Sequence, residues 1–381
     1  MTPQPVWADV VGQEHVVAAL DAVATTGVGM THAWLFTGPP GSGRSTAARA
    51  FAGALQCGQH GCGSCDVCHT TLTGTHADLH VVGTRALSIG VDTARELVQR
   101  GARFPATGRW QVLLIEDADR LTEPAANALL KAIEEPTPRT VWLLCAPSLE
   151  DVIPTIRSRC RHVLLRTPPI DAVADVLMRR DGIPAAMAAF AARASQGHIG
   201  RARRLATDEQ ARLRRHAVLE VPLALSGLGS CIAAAAALVE AATDEAKDAT
   251  TATDARETDE LARALGAGST GRGMPAGSAA ALKDLERQQK RRATRTQRDF
   301  PDRALLDLAS FYRDVLVVQS RADVDLVNEE LRPAVTKVAS SSVSEQTLRR
   351  IQAILAARDA VDANVAPLLA VEAMTVALRA G

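Results

Sequence analysis

The sequence predicts an α/β P-loop domain followed by an all-α part of the chain. A glycine-rich loop stands between an apolar run and a helical run, and further apolar runs alternate with amphipathic helices over the first 168 residues. The rest of the chain is mostly helical in pattern. Alternating strands and helices indicate a parallel sheet with helices on both faces. The 381 residues, 47% of them hydrophobic, suffice for two or three domains.

The predicted strands are short apolar runs, as is typical of buried parallel strands. They are residues 34–37, Leu79–Val82, Gln111–Ile115 and 141–145. Amphipathic patterns predict helices at Val91–Gly101 and Glu123–Glu134. Pro168 and Pro169 end this first domain, because proline interrupts helices and strand ladders.

Two helical domains follow the predicted α/β domain of residues 1–168. The helical pattern of residues 169–207 predicts a small domain of three helices, in which Gly182 and Gly197 mark helix ends. Residues 208–381 predict a larger helical domain.

Two segments of the larger helical domain stand out in composition. Residues 243–279 are rich in Ala, Thr, Gly, Asp and Glu and contain a glycine run at 266–273, so we expect a mobile loop at about 243–279. Residues 283–303 carry eight basic and four acidic side chains. This stretch is either a long exposed helix or a basic surface that faces DNA or an acidic partner.

Composition restricts the functional classes. The 43 basic and 43 acidic residues cancel, so any contact with nucleic acid must come from a local patch or from partner proteins. The N-terminal residues do not resemble a signal peptide, and no apolar run approaches the roughly 20 residues of a membrane span. We therefore expect a soluble, cytoplasmic protein.

The glycine-rich loop carries the first motif with a chemical meaning. It reads Gly38-Pro39-Pro40-Gly41-Ser42-Gly43-Arg44-Ser45-Thr46 and fits G-x-x-x-x-G-K-[ST] except that Arg44 replaces lysine. In such loops the glycines let backbone N–H groups face phosphate oxygens, and the hydroxyl of Ser45 would ligate Mg²⁺. The planar guanidinium of Arg44 keeps the charge but not the shape of lysine. The loop is either a nucleotide or relic phosphate site, or a glycine turn without a ligand.

The second motif follows the predicted strand Gln111–Ile115, where Glu116 and Asp117 stand in sequence. P-loop folds place the carboxylates that hold Mg²⁺ and orient water at this position. The usual order is Asp then Glu, and the reversal would displace each carboxylate by about one methylene, which lowers a rate strongly. A degenerate nucleotide site would then comprise Gly38, Gly41, Gly43, Arg44, Ser45, Thr46, Glu116 and Asp117. The alternative is a solvated strand end.

The third motif is a cluster of four of the seven cysteines, namely Cys57, Cys62, Cys65 and Cys68. Closely spaced thiolates suit tetrahedral Zn²⁺, and neighbouring glycines permit the tight turns between them. We predict a structural zinc module at residues 57–68. An iron–sulfur cluster and free thiols are the alternatives, and His60 and His69 are alternative ligands.

Together these motifs resemble the clamp-loader branch of the AAA+ ATPases. The resemblance covers residues 6–206 well and the remainder loosely. It is carried by the P-loop, the cysteine insertion, Asp9-Val10-Val11-Gly12-Gln13-Glu14-His15, Asn127-Ala128-Leu129-Leu130-Lys131-Ala132-Ile133-Glu134-Glu135-Pro136 and Ser158-Arg159-Cys160.

The resemblance implies an ATPase-like domain, a small helical lid and a helical collar that mediates oligomerisation. It further implies a hetero-pentamer with gamma/tau and delta subunits, which opens a ring-shaped sliding clamp and places it on primed DNA. Arg159 in Ser158-Arg159-Cys160 would then be an arginine finger that acts in trans on the ATP of a neighbouring subunit.

Several positions depart from the family pattern of an active ATPase. Besides Arg44 and the Glu116–Asp117 order, Ala146-Pro147 stand where a polar sensor is usual, and Gly200 stands where the lid carries an arginine. The gap between Cys57 and Cys62 is also shorter than usual. These departures favour a non-hydrolysing subunit. The alternatives are an active clamp-loader ATPase of the gamma/tau type and a zinc-knuckle module that binds nucleic acid.

Overall fold

The computed structural model describes residues 5–83, 88–264 and 278–381, which form two compact units, Met1–Thr207 and Asp208–Gly381. The first unit contains one parallel five-stranded sheet with helices around it, and the second unit is helical throughout its described residues. The predicted class, α/β followed by all-α, is confirmed. Nowhere in these ranges does a helix combine the length and apolarity needed to cross a membrane.

The first unit alternates strands and helices along the chain. Its strands are β1 (Ala33–Thr37), β2 (Leu79–Val82), β3 (Gln111–Ile115), β4 (Thr140–Ala146) and β5 (Arg161–Leu164). Its α-helices are α1 (Glu14–Thr26), α2 (Arg44–Gln56), α3 (Asp66–Thr73), α4 (Val91–Gly101), α5 (Glu123–Glu134), α6 (Pro154–Arg157), α7 (Ile170–Asp181), α8 (Ala185–Ala194) and α9 (Ile199–Thr207). Short 3-10 helices span Pro5–Trp7 and Ala118–Arg120.

The strand order β2-β3-β4-β1-β5 places β1 between β4 and β5, and all neighbouring strands are parallel. The loops that follow β1, β3 and β4 therefore emerge at one edge of the sheet, which is where open parallel sheets bind ligands. Four of the strands lie on the predicted runs. Strand β5 was not among them, because only Val163 of its four residues is buried and no apolar run marks it.

The sheet is covered on both faces because successive side chains of each strand point to opposite sides. Trp34 and Phe36 of β1 pack with Phe51 of α2 on one face, and the Trp34 and Phe51 ring centroids lie 4.9 Å apart. Leu35 of the same strand packs on the other face with Leu129 of α5. The buried aliphatic strands are thus held between helices that flank the binding edge.

The second unit consists of six α-helices in its described residues. They are α10 (Glu209–Ala224), α11 (Leu228–Ala264), α12 (Ser278–Ser320), α13 (Arg332–Ser340), α14 (Ser344–Asp362) and α15 (Pro367–Ala380), with a 3-10 helix at Glu329–Leu331. A buried ionic network accompanies the apolar core: Arg215 Nε lies 3.1 Å from Asp307 Oδ1, and Arg215 Nη1 lies 2.8 Å from Glu330 Oε1. Burial of these charges requires such pairing.

The structure corrects the first part of the predicted loop at about 243–279. Helix α11 continues to Ala264, so residues 243–264 are helical. The reason is that residues 230–264 contain neither glycine nor proline and are rich in alanine, so nothing in this stretch ends the helix. The glycine run at 266–273 lies outside the described residues. The basic stretch 283–303 belongs to α12, and its contact with DNA stays a prediction.

Asp78 fixes the loop that leads into β3. Its carboxylate is buried and accepts hydrogen bonds from the backbone N–H groups of Ala106 (2.6 Å), Thr107 (2.9 Å) and Gly108 (2.5 Å), and from the Thr107 hydroxyl (3.0 Å). Burial alone would raise the pKa of Asp78, but these hydrogen bonds outweigh it and hold the pKa below its ordinary value. The ionised form is therefore the one that the fold stabilises.

We expect Asp78→Asn to lower the free energy of unfolding by about 1–3 kcal/mol near pH 7, because it removes a charged acceptor from donors that stay buried. A lowered pKa contributes stability above the ordinary aspartate pKa, and this contribution is lost as the pH falls through the folded-state value. The difference between the two proteins should thus shrink below about pH 4. Urea unfolding across this range measures it. Asp92→Asn is the control, because the Asp92 side chain is 94% exposed; equal effects of the two substitutions would contradict the assignment.

Candidate functional site

The glycine-rich loop follows β1 directly and runs into α2. Gly38, Gly41 and Gly43 have φ angles of 155°, 85° and 87°, which L residues with side chains rarely adopt. The Gly38 N–H donates to the Pro147 carbonyl at 3.1 Å, which ties the loop to the end of β4. The loop therefore has the backbone of a phosphate loop at the start of a helix.

Two neighbours close the outer side of this loop. A Cβ at Gly38 would stand 2.5 Å from the Leu165 carbonyl oxygen, and a Cβ at Gly41 would collide with the imidazole of His198. His198 lies just before α9, where its Nδ1 accepts a hydrogen bond from the Arg201 N–H at 3.3 Å. The sequence did not single out His198 as a site residue, although it lies in the Gly197–Gly200 run that the family resemblance marks.

Arg44 turns back onto the loop that precedes it. It is the first residue of α2, and its Nη1 donates to the Gly38 carbonyl oxygen. The lysine of a P-loop reaches the β- and γ-phosphates instead. In this structure the Arg44 guanidinium instead stabilises the conformation of the loop through its hydrogen bond to Gly38.

Glu116 is engaged by a cation from the helix beside it. It follows β3, and its Oε1 lies 3.0 Å from Nε and 2.9 Å from Nη2 of Arg49 on α2. Both side chains are largely buried, with 21% of Glu116 and 27% of Arg49 exposed. A carboxylate at the position for Mg²⁺ is thus neutralised by a guanidinium. Sequence patterns missed Arg49, because its role depends on which face of α2 meets the end of β3.

The two sensor positions offer no polar side chain to a phosphate. Ala146 ends β4, and the carbonyl of Pro147 accepts the hydrogen bond from Gly38. Gly200 lies in the first turn of α9. The loop backbone thus fits a phosphate group, whereas the side chains of Arg44 and Glu116 are engaged by partners within the chain.

Arg159 lies beyond α6 with 36% of its side chain exposed. Its Nη1 donates to the Thr155 carbonyl at 2.6 Å and to the Ser158 hydroxyl at 3.2 Å, and its Nη2 forms an ion pair with Oε1 of Glu134. Among the described residues, its hydrogen-bond partners belong to α5 and to the α6 segment, and not to the glycine loop. The guanidinium is therefore presented at the surface.

The four cysteines come together as one cluster. Their Sγ atoms all lie within 4.8 Å of one another, and Cys57 Sγ is 3.8 Å from the Sγ atoms of both Cys62 and Cys65. A tetrahedron with Zn–S distances of about 2.3 Å has sulfur–sulfur edges of about 3.8 Å. The four residues thus fit a metal ion of this kind, Cys57 included. The Nδ1 of His60 lies 3.0 Å from the Ala24 carbonyl oxygen and so faces α1.

The environment of Cys62 favours the thiolate, which is the form that binds metal. Hydrogen bonds from the backbone N–H groups of Ser64 and Cys65 lower the pKa of Cys62 to about 6. Burial raises the pKa of Cys68. A bound cation would offset the cost of ionising the buried thiol.

The cysteine cluster also holds the N-terminal segment. The Val6 N–H donates to the Gly61 carbonyl at 3.1 Å, and Cβ atoms at Gly61 and Gly63 would collide with Val6 and Pro5. Next to them, the buried indole of Trp7 donates to Asp21 Oδ1 at 2.9 Å. The segment Pro5–Trp7 therefore packs between the cluster and the helices behind it.

Residues 12–169 match the protein-family model described as "DNA polymerase III, delta subunit". The DNA polymerase III subunit gamma/tau of Mycobacterium tuberculosis is 38% identical over 168 residues, which are 43% of this chain and 29% of that protein. The DNA polymerase III subunit delta' of Haemophilus influenzae is 37% identical over 141 residues, 36% of this chain and 43% of that protein. The chain thus spans less than half the length of these curated relatives.

Among solved structures, a gamma subunit-related protein of DNA polymerase III from Thermotoga maritima aligns over 95% of this chain and 98% of its own, with 15% identity and a TM-score of 0.42. A RuvB mutant of the same organism aligns over 57% and 67%, with 20% identity and a TM-score of 0.40. Both scores lie below 0.5, so the fold rests on the strand order given above.

We expect the purified protein to hold one zinc ion per chain. Cys62→Ser should clearly lower the number of zinc ions per chain, because it removes one of four clustered thiolates. The free energy of unfolding should fall by about 1–3 kcal/mol, a range typical of destabilising single substitutions. Elemental analysis and urea unfolding measure the two effects. Cys160→Ser is the control, because Cys160 lies outside the cluster.

Chelation should also increase amide hydrogen exchange at Val6 together with residues 57–68, since these segments share backbone contacts. The role of the cluster would be contradicted if the purified chain held no metal, or if the amide exchange rate of Val6 were the same before and after chelation.

Proposed function

We propose that this chain is the delta-prime subunit of a replicative clamp loader, since residues 12–169 match the DNA polymerase III delta-subunit model and are similar to gamma/tau and delta' subunits. In this proposal it hydrolyses no ATP itself. It supplies Arg159 to the ATP of a neighbouring gamma/tau subunit and helps that subunit and delta to open the sliding clamp and load it on primed DNA. The observation that carries the proposal is that the hydrolytic positions are used for internal contacts, whereas Arg159 is presented at the surface.

The chemistry of the site supports the proposed lack of hydrolysis. Phosphoryl transfer needs a cation at the β- and γ-phosphates and a carboxylate for the metal ion. Arg44 is hydrogen-bonded to Gly38, and Glu116 is paired with Arg49. An enzyme with these contacts would have to break both of them to bind Mg²⁺-ATP productively.

Arg159 is suited to act on a nucleotide held by another chain. A guanidinium stabilises the negative charge that develops on the transferred phosphoryl group, and its planar donors match phosphate oxygens. Its exposure, and partners that lie outside the glycine loop, support an action in trans.

In the proposed hetero-pentamer with gamma/tau and delta, the second unit mediates the assembly. Helices α11 and α15 pack on each other, with the Thr375 hydroxyl donating to the Cys231 carbonyl at 3.0 Å. Each nevertheless has exposed apolar side chains, among them Ile232 (47% exposed) on α11 and Leu369 (61%) on α15. In the proposal other subunits cover these side chains. We place the assembled loader, with its clamp and DNA, in the cytoplasm.

An active ATPase of the gamma/tau type is the second candidate. The observation that keeps it open is that a gamma/tau subunit is as similar to this chain, at 38% identity, as a delta' subunit is at 37%. The overall similarity therefore does not distinguish the two roles, and only the behaviour of the P-loop does.

We expect the isolated chain to show no ATP turnover above background, and Ser45→Ala to change nothing. Steady-state phosphate release measures this. Turnover that disappears in Ser45→Ala would favour the gamma/tau role instead.

Calorimetric titration with ATP, repeated with Arg44→Lys, determines whether the loop still binds nucleotide. We expect tighter binding by the variant, because a lysine would not be held by the Gly38 carbonyl and could reach the phosphates.

In a loader reconstituted with clamp and primed DNA, Arg159→Ala should sharply lower ATP turnover, because an arginine finger contributes roughly 10³–10⁵ in rate at its own site. Steady-state turnover of the whole complex is the measurement. Arg157→Ala, a change to the neighbouring arginine on α6, should leave the rate near that of the unchanged loader. Equal rates for the two variants would exclude Arg159 as the finger.

A further inference from the structure

We propose that Glu134 is a positioning residue for Arg159, and that their ion pair orients the guanidinium for its action on the neighbouring ATP. This inference rests on the proposed function, since it concerns the same arginine. Glu134 was part of the motif that carries the family resemblance, but the sequence alone assigned it no role.

The geometry links two segments that are distant in sequence. Glu134 is the last residue of α5, and Arg159 stands two residues after the end of α6. The Glu134 carboxylate meets Nη2 of the guanidinium, while the Thr155 carbonyl and the Ser158 hydroxyl meet Nη1. The guanidinium is therefore held from two sides, by its own segment and by α5.

The position of Glu134 is unfavourable for the helix that carries it. Acidic side chains in the last turn of a helix oppose the helix dipole, which favours cations there. The stability of α5 therefore gives no reason for a glutamate at this position. The contact with Arg159 provides one.

The arrangement leaves part of the guanidinium available. Arginine has five N–H donors, of which the contacts above use two on Nη1 and one on Nη2. Within the described part of the chain, Nε has no hydrogen-bond partner. Its N–H and the second N–H of Nη2 are thus left to meet phosphate oxygens, which guanidinium groups bind in a two-pronged manner.

The ion pair supplies orientation and little stability. The Glu134 and Arg159 side chains are 43% and 36% exposed, and pairs at such exposure contribute little to folding. A long, exposed arginine samples many rotamers, and holding it in one of them lowers the entropic cost of reaching the transition state. We therefore infer that loss of Glu134 affects the rate more than the fold.

The test measures ATP turnover by the reconstituted loader, with clamp and primed DNA, over a range of ATP concentrations. We expect Glu134→Ala to lower kcat on the order of tenfold with little change in KM, since misplacing a catalytic group by 1 Å can cost as much as about 100-fold. Glu134→Gln, which keeps an acceptor but not the charge, should lie between. Glu135→Ala is the matched control, an exposed carboxylate one residue further along the chain.

Two further measurements exclude a merely structural effect. The thermal midpoint of isolated Glu134→Ala should equal that of the unchanged chain, and if this variant misfolds, Glu134→Gln carries the test. Glu134→Ala combined with Arg159→Ala should be no slower than Arg159→Ala alone, because a positioning residue has no effect once its target is absent.

The outcomes separate this inference from the proposed function. If Arg159→Ala lowers turnover while Glu134→Ala behaves like Glu135→Ala, the finger stands and the positioning role of Glu134 is wrong. If Glu134→Ala raises kcat, Glu134 restrains Arg159 and the inference is overturned. If Arg159→Ala itself has no effect, the proposed function fails.

Discussion

The candidate site depends on the absence of a side chain at Gly38. The backbone N–H of this residue donates to the Pro147 carbonyl, and its own carbonyl accepts from Arg44. The Leu165 carbonyl lies against the position that a Cβ would occupy. A Cβ at this point would push β1 away from the segment that follows β5 and would disturb all three contacts. Nearby, Gln13 reinforces the same junction by donating to the Arg166 carbonyl at 2.6 Å and accepting from the Arg166 N–H at 3.2 Å. The glycine thus joins the end of β1, the loop and the segments that follow β4 and β5.

Positions that an ATPase uses for chemistry have structural partners in this protein. A largely buried carboxylate such as Glu116 needs a counter-charge, and Arg49 provides it without a metal ion. Arg44 satisfies the Gly38 carbonyl in the same way. In the proposed function, contacts within the chain therefore take the place of contacts with Mg²⁺-ATP at the loop. Arg159, which would act on the ATP of another subunit, stays exposed at the surface. The stability of the domain and its lack of hydrolysis would then have the same cause.

The sequence predicted the features that depend on local patterns. Buried strands, the glycine loop and the bounds of α5 follow from hydrophobic periodicity and backbone sterics, and these are as predicted. Strand β5 was missed because one buried residue makes no pattern, and residues 243–264 were wrongly expected in a loop because a polar, alanine-rich composition suits a helix equally well. Side-chain partnerships such as Glu134 with Arg159 could not be predicted, because they depend on how helices distant in sequence face each other.

The contact between the N-terminal segment and the cysteine cluster has a consequence for the order of folding. The amide of Val6 is satisfied by the carbonyl of Gly61, and Gly61 stands in the turn between the first and second cysteines. The N-terminal segment can complete its contacts only after the turn that contains Gly61 has formed, because the Val6 amide has its acceptor there. A metal ion that closes the turn between Cys57 and Cys62 would therefore also favour the docking of Pro5–Trp7.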